Sequence, residues 1–152
     1  MNEKLSLKRL KEMAGLEVGL SDWLTITQER IDAFAECTED RQWIHVDPEK
    51  ASRSPLGGTV AHGFLLLALL PNFGRGNPLF NMEFKMAVNY GLNRVRFIHP
   101  VHPGDRVRNR AVLKDFRKKG FRRILLTIEN TLEIEGRTKP AMTAELLAMF
   151  VI

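Results

Sequence analysis

The stretch SPLGGTVAHGFLLLALLPNFGRG, residues 54–76, decides the fold. It opens with a flexible Gly-Gly loop and continues as an apolar segment that predicts a helix over about residues 61–73. Residues 64–70 are apolar on every side, and a helix without a polar face is usually buried all round. Gly74 and Gly76 are suited to end it. We therefore predict one central helix that is buried on all sides.

Downstream of this helix the hydrophobic period changes to two residues, which indicates β-strands. The alternation covers residues 84–97, 106–115 and 124–134, and a last strand follows over 141–151. A sheet with one apolar face that wraps around one apolar helix buries both elements. The pattern therefore predicts an α+β fold in which four or five antiparallel strands surround the central helix.

Shorter elements are predicted upstream of the central helix. Residues 4–13 have the periodicity of a short amphipathic helix, and residues 23–26 have the composition of a short strand. Thr27 can cap a helix over residues 28–38, because its hydroxyl can accept hydrogen bonds from free backbone N–H groups. The segment that follows this helix is predicted to be a polar loop.

Length and composition are typical of a single globular domain. With 152 residues and 44% hydrophobic content, we expect a single domain over residues 1–152, with an N-terminal helical extension over residues 1–16. Cys37 is the only cysteine, so no internal disulfide can form, which favours the cytoplasm. The N-terminal segment lacks the features of a secretory signal, and no apolar run is long enough to cross a bilayer. We therefore expect no membrane partner.

The net charge of +5 is unevenly distributed. Between Lys85 and Arg123 there are twelve Lys or Arg residues against two acids, Asp105 and Asp115. Such a field attracts anionic groups such as phosphates, but a solvated face of alternating strands is the simpler explanation of the charge. Nucleic-acid binding through these strands is the weakest functional alternative. Since no recognition motif accompanies the charge, we expect no nucleic-acid partner.

The segment DRQWIHVDPEKA, residues 40–51, contains the first candidate for chemistry. Asp40 and His45 are five residues apart, and a carboxylate and an imidazole can together hold and deprotonate one water. A capping Asp beside a half-buried His is the alternative interpretation, since such pairs also occur by chance. Asp47 and Pro48 have the pattern of an N-cap followed by Pro at the first helical position, and predict a short helix over residues 48–53.

The segment AHGF at the start of the central helix is the second candidate. A Gly in the first helical turn leaves its N–H unobstructed, and the helix dipole adds positive charge there. The N–H of Gly63 could therefore polarise a carbonyl oxygen, or Gly63 could be required only for close packing. His62 is assigned to a hydrogen bond across the loop. His99 and His102 have a metal-like spacing, but no ligand cluster joins them, so they are assigned to loop structure and no metal site is predicted.

Four segments together resemble a known family. TEDRQWIHVDPEKA, GGTVAHGFLLLALLP, NYGLNRVRF and PVHPGDRVR resemble the MaoC-like dehydratases, the R-specific enoyl-CoA hydratases with a hot-dog fold. Order and spacing agree over nearly the whole chain from about residue 17 onward. The variants QWIHVDPE and AHGFL are similar to those of NodN-like proteins, which form a subgroup. The resemblance implies a single hot-dog domain, an antiparallel sheet around a central helix.

The resemblance also implies a function and its residues. Asp40 and His45 match the family's catalytic pair, and Gly63 matches the glycine whose N–H faces the thioester oxygen. Gln42 stands where the family often has Asn, and it could bring an amide to the site. Trp43 stands where the family often has Pro, and its larger side chain should alter the local wall of the site. The implied reaction is the reversible, R-specific hydration of trans-2-enoyl-CoA by a homodimer. Coenzyme A enters as part of the substrate, and no metal or redox cofactor is expected.

Two other functions are open for a protein of this fold. An acyl-CoA thioesterase would bind the same thioester but hydrolyse it, and such enzymes usually have an acidic residue on or near the central helix. Residues 61–73 contain none. A non-catalytic acyl-CoA-binding protein could retain the fold without turnover, and the departures at Gln42 and Trp43 leave room for it. The intact Asp40 and His45 favour the hydratase.

Overall fold

The computed structural model describes residues 6–80 and 83–152. The helices in this part of the chain are α1 (Leu7–Met13), α2 (Gln28–Thr38), α3 (Trp43–Val46), α4 (Pro48–Ser52), α5 (Gly63–Ala68) and α6 (Leu70–Phe73), with a 3-10 turn over Gly74–Gly76. The strands are β1 (Glu17–Leu20), β2 (Leu24–Thr25), β3 (Met86–Phe97), β4 (Arg106–Lys118), β5 (Arg123–Ile134) and β6 (Met142–Val151).

The strands form one antiparallel sheet in the order β1-β4-β5-β6-β3, and β2 pairs with β4 at the β1 edge. The predicted α+β fold with an antiparallel sheet is confirmed, and the four long strands lie where the alternation placed them. The sequence interpretation missed β1, whose four residues bury only Val18 and are too few to show a period. β2 is shorter than the predicted strand over residues 23–26.

Two apolar clusters lie on the inner face of the sheet. The first joins α5 and α6 to the sheet, with Leu66 and Leu70 of the helices packed in one cluster with Leu132 of β5. The second contains Leu10 of α1, which is fully buried, with strand residues such as Leu113. The helix predicted over residues 4–13 begins at Leu7 in the structure, and residues 4 and 5 lie outside the described part of the chain.

The central helix differs from its prediction in two respects. It is divided, because α5 ends at Ala68 and Pro71 lies in the first turn of α6, where a missing N–H is tolerated. It is also buried on one side only. Leu65 and Leu66 face the sheet, whereas Phe64 is 70% exposed. The prediction of burial on all sides was wrong for the single chain, since the sheet covers only one face of the helix.

Strand β3 forms the opposite edge of the sheet and carries an uncovered apolar surface. Met86, Val88, Tyr90 and Leu92 are all more than two-fifths exposed, and β3 pairs only with β6 among the described strands. The β3 edge and the exposed Phe64 form an apolar surface that another molecule could cover. No helix of the described chain is long and apolar enough to span a membrane.

Candidate active site

Asp40 lies at a sharp reversal of the chain after α2. Thr27 caps α2 as predicted, since the backbone N–H of Arg30 donates to its hydroxyl at 3.2 Å. The helix ends at Thr38, and the next residue, Glu39, has a left-handed backbone with φ of 62°. A left-handed residue commonly stops a helix and turns the chain away from its axis. The left-handed backbone of Glu39 therefore sets the direction in which the chain continues at Asp40.

The segment predicted to be a loop contains one short helix, α3. The N–H of His45 donates to the Gln42 carbonyl at 2.9 Å, and the N–H of Asp47 donates to the Trp43 carbonyl at 3.0 Å. The loop prediction was wrong here, because four residues are too few to show helical periodicity. Asp47 then caps α4 as predicted, accepting from the Lys50 N–H at 2.9 Å.

The orientation of His45 is set by a backbone carbonyl. Its ring is buried, with 7% of the residue exposed, and Nδ1 lies 2.6 Å from the Val60 carbonyl oxygen. Since a carbonyl can only accept, Nδ1 carries the hydrogen and Nε2 of the neutral ring is left with a free lone pair. Burial lowers the pKa of His45, while the Val60 carbonyl raises it; His62 also lowers it and Asp40 raises it. The result is a neutral imidazole that can accept a proton.

His62 lies directly against His45. The two rings stack with centroids 3.7 Å apart, and only 3% of His62 is exposed. Its Nε2 lies 3.0 Å from the backbone carbonyl oxygen of Asp40 and 4.0 Å from that residue's Oδ2. The hydrogen bond expected across the loop is therefore present and ends on Asp40. His62 Nδ1 is buried without a hydrogen-bond partner.

The structure brings the two predicted catalytic side chains together. Asp40, His45 and His62 each offer one ligand atom within 4.8 Å of the others. The Asp40 side chain is 55% exposed, so solvent can reach the carboxylate beside the two buried rings. Such a group can hold a water, and its donor set would also suit a divalent cation. His99 and His102 instead contact backbone carbonyls through Nδ1, in line with their assignment to loop structure.

Gly63 begins α5, one residue after His62. A Cβ at Gly63 would lie 2.9 Å from a ring carbon of Phe97, closer than real contacts allow. A side chain at position 63 would therefore require the Phe97 ring to move, so close packing favours a Gly here. The N–H of a first helical residue also has no acceptor within its own helix, so the two roles are compatible. Gln42 is exposed at the start of α3 and its side chain makes no capping hydrogen bond.

The MaoC like domain family matches residues 10–135. The chain belongs to this family. It is 46% identical over 147 residues to 3-hydroxyacyl-thioester dehydratase Z of Mycobacterium tuberculosis, an alignment that covers 96% of each chain. It is 49% identical over 144 residues to Nodulation protein N of Rhizobium leguminosarum bv. viciae, covering 93% of this chain and 88% of the relative. The resemblance stated from the sequence is confirmed, including its NodN-like character.

Solved MaoC-like structures share the fold of this chain. A MaoC-like dehydratase from Rhodospirillum rubrum superimposes with a TM-score of 0.77 at 21% identity, and the match covers 97% of both chains. The (R)-hydratase of A. caviae involved in PHA biosynthesis gives a TM-score of 0.69 at 24% identity, covering 88% of this chain and 96% of the other. The domain is thus a hot-dog fold, as predicted.

Two residues of this MaoC-like site escaped the sequence interpretation. Gln28 of α2 donates through Nε2 to the His45 carbonyl at 2.8 Å and accepts from the Thr59 hydroxyl at 2.5 Å, which ties α3 to the segment that leads into α5. His62 was assigned only to a hydrogen bond, and its stacking on His45 was not foreseen. Both contacts join residues at least seventeen positions apart, so neither leaves a local pattern in the sequence.

Proposed function

We propose that this protein is a hydro-lyase that hydrates trans-2-enoyl-CoA to (R)-3-hydroxyacyl-CoA and catalyses the reverse dehydration. The observation that carries the proposal is the pairing of the Asp40 carboxylate with a buried His45 whose Nδ1 is held by Val60. The family supports a dehydratase or hydratase, and the M. tuberculosis relative is named a 3-hydroxyacyl-thioester dehydratase. The substrate, stereochemistry and residue roles go beyond those findings and belong to the proposal.

In the proposed reaction Asp40 and His45 hold one water between them. His45 Nε2 accepts a proton from that water as its hydroxyl adds to C3 of the enoyl group. The electron pair of the double bond moves toward the thioester carbonyl, and C2 then receives a proton from the Asp40–His45 pair. The reverse sequence expels water, so the atoms of one water are added or removed in each cycle. No step calls for a metal or a redox cofactor.

Gly63 is proposed to stabilise the thioester oxygen. Negative charge develops on this oxygen as water attacks C3, and a fixed N–H donor stabilises that charge without reorganisation. Gly63 is adjacent in sequence to His62, which contacts both Asp40 and His45, so the donor and the proton-handling pair belong to one site. Gln42 is proposed only as a neighbour of the incoming thioester, since its side chain is exposed.

The proposed partners are an acyl-CoA and a second copy of the chain. Some of the basic residues between Lys85 and Arg123 are proposed to face the phosphates of coenzyme A. The open apolar edge of β3 and the exposed Phe64 support a homodimer, because pairing would cover both. A cytoplasmic location and the single domain over residues 1–152 stay predictions.

The test follows the loss of conjugated-enoyl absorbance when purified protein meets crotonyl-CoA. We expect rapid loss with the natural chain and a decrease of about a hundredfold or more in Asp40→Asn and His45→Gln, the range for removing a general acid or base. Circular dichroism of each variant controls for folding. Near-normal turnover in both variants would contradict the assignment. A folded natural chain that binds crotonyl-CoA without turnover would indicate a binding protein, and release of free thiol would indicate a thioesterase.

A further inference from the structure

The hairpin that joins β4 to β5 carries the net charge of the protein. Its residues 117–123 have the sequence RKKGFRR, which includes five of the chain's 23 Lys and Arg residues and no acid. The other eighteen basic residues are balanced by eighteen Asp and Glu residues, so the formal net charge of +5 corresponds to this one segment. Charge concentrated in this way creates a local positive potential that attracts anionic partners.

A solvated strand face explains the basic residues elsewhere on β4 but not those of the hairpin. Four cations along β4 lie within ion-pair distance of glutamates across the sheet: Arg106, Arg108, Arg110 and Lys114. In the hairpin, Arg117 lies 3.7 Å from Asp115. The other four hairpin cations have no ion pair within the described part of the chain: Lys118, Lys119, Arg122 and Arg123. Their charge is therefore available to a partner outside the chain.

An apolar ring lies at the apex of the hairpin. Phe121 is 85% exposed, and the guanidinium carbon of Arg122 lies 5.7 Å from its ring centroid. The loop is held by a left-handed Gly120 with φ of 71° and by a hydrogen bond from the Lys119 N–H to the Arg123 carbonyl at 2.8 Å. Single exposed aromatic residues are common on protein surfaces. This one differs because it lies on a fixed turn with cations on either side of it.

The cations surround the apex instead of forming a stripe on one face of the sheet. Arg117 and Lys118 are consecutive strand residues, whose side chains point to opposite faces. A planar partner that meets the hairpin end-on can therefore contact cations of both faces together with the Phe121 ring. The surface of a bilayer with anionic lipids has this form, since aromatic rings settle at headgroup level and Lys and Arg attract the lipid phosphates.

The hairpin is separate from the candidate active site and from the surface proposed for the second copy. Arg123 and Met86 both pair with Val151, so the hairpin lies beside the first residue of β3. Gly63 instead lies against Phe97, the last residue of β3. The twelve residues of β3 correspond to roughly 36 Å. Strand β6 also lies between β5 and the β3 edge. Neither a thioester at Gly63 of the same chain nor a subunit on the β3 edge accounts for the hairpin.

We propose that the β4–β5 hairpin docks the protein on membrane surfaces that contain anionic phospholipids. Phe121 lies at headgroup level, and the five cations face the lipid phosphates. One aromatic ring together with a cluster of basic residues gives reversible binding, because each contribution alone is small. Such a contact requires neither a secretory signal nor a spanning segment, whose lack led us to expect no membrane partner. It is also independent of the proposed reaction.

The test sediments the full chain with vesicles of phosphatidylcholine, with or without about one-third phosphatidylglycerol. We expect binding to the anionic vesicles only, with release at about 0.5 M salt. In Lys119→Gln/Arg122→Gln the partition coefficient should fall by about tenfold or more, because each basic residue near such a surface contributes about fivefold. Phe121→Ser keeps every charge and should lower the coefficient by about threefold or more, because it removes the apolar contact.

The matched control is Arg137→Gln/Lys139→Gln, which removes two exposed cations from the β5–β6 turn at the opposite end of the sheet. It should lower the coefficient by less than about twofold, because distant charges are screened. Circular dichroism checks that each variant is folded.

Four results would overturn the proposal. One is that the anionic vesicles fail to bind the natural chain, and another is an equal loss in the two double variants, which would mean that only net charge matters. Release by coenzyme A at constant ionic strength would assign the hairpin to substrate phosphates. Retention on single-stranded DNA without vesicle binding would assign it to nucleic acid.

Discussion

Polar side chains are buried at both ends of the central helix, but they are held in different ways. At its start, His45 and His62 each bind a backbone carbonyl, that of Val60 and that of Asp40. Near its end, Asn109 and Asn130 bind each other on two rigid strands and leave one oxygen unpaired. The stacked rings are therefore positioned by the loops, whereas the amides are positioned by the register of the sheet.

Because they are held differently, the histidines at the start of the helix and the asparagines near its end are expected to have different roles. Loop carbonyls fix the ring orientation of His45 and leave its Nε2 available beside Asp40, which suits proton transfer. The amide pair has no titratable group, so it cannot move a proton at neutral pH. Changes at the histidines should alter the rate and its pH dependence. Changes at the asparagines should alter stability.

Apart from changes to Asp40 and His45 themselves, the largest effect is expected when His62 loses its donor. His62→Phe keeps a stacked ring against His45 but removes the N–H that holds the Asp40 carbonyl. We expect kcat for crotonyl-CoA to fall by about tenfold to a hundredfold with KM nearly unchanged, because displaced groups transfer protons slowly. Steady-state kinetics measure both parameters.

His62→Gln is the matched variant, since it keeps an N–H donor without the aromatic ring. It should recover part of the lost kcat if the hydrogen bond to Asp40 is what matters. Because His62 lowers the pKa of His45, His62→Phe should also shift the acidic limb of the rate profile to higher pH. A folded His62→Phe with normal kcat and an unmoved profile would refute a positioning role.

The next effect concerns the natural protein at low pH. His45 must be neutral to accept a proton, and its pKa lies below the ordinary value of 6.5 because burial disfavours the charged ring. We expect kcat/KM to be constant near neutral pH and to fall about tenfold per unit once the pH passes below that lowered pKa. An acidic limb centred above 6.5 would contradict the assignment of His45 as the base.

The same shift has a consequence for stability. A histidine whose pKa is lower in the folded than in the unfolded chain binds fewer protons when folded. The contribution of this histidine to the free energy of unfolding is complete when the pH is above its pKa in the unfolded chain. The contribution is lost as the pH falls from that pKa toward the lower pKa of the folded chain. The free energy of unfolding should therefore decrease with acidification below about 6.5 in the natural chain, and this component should vanish in His45→Gln. Denaturant titrations at several pH values measure it.

The four long strands could be predicted because an alternation sustained over ten or more residues is typical of strands with one buried face. The degree of burial of the central helix could not be predicted. An apolar residue such as Phe64 does not reveal from the sequence whether the same chain or another molecule covers it. The approach of Asp40 to His45 followed from family resemblance. The stacking of His62 depends on the loop that closes between residues 47 and 61. The asparagine pair did leave a signal, since Asn109 and Asn130 occupy inward positions of two alternating strands.

The smallest effect concerns the stability cost of the asparagines. Asn130→Leu alone removes the acceptor of Asn109 Nδ2, so that neither polar atom of the buried Asn109 amide has a side-chain partner, and the free energy of unfolding should fall by about 1–3 kcal/mol. The double variant Asn109→Leu/Asn130→Leu removes every unpaired atom and should be at least as stable as the natural chain. Denaturant midpoints of the natural chain, the two single variants and the double variant form a double-mutant cycle.

A double variant less stable than Asn130→Leu would mean that the amides are needed for packing. Recovery would mean that the fold does not require the amides, and that the hydrogen bond between them only offsets the cost of burying them in an apolar sheet face.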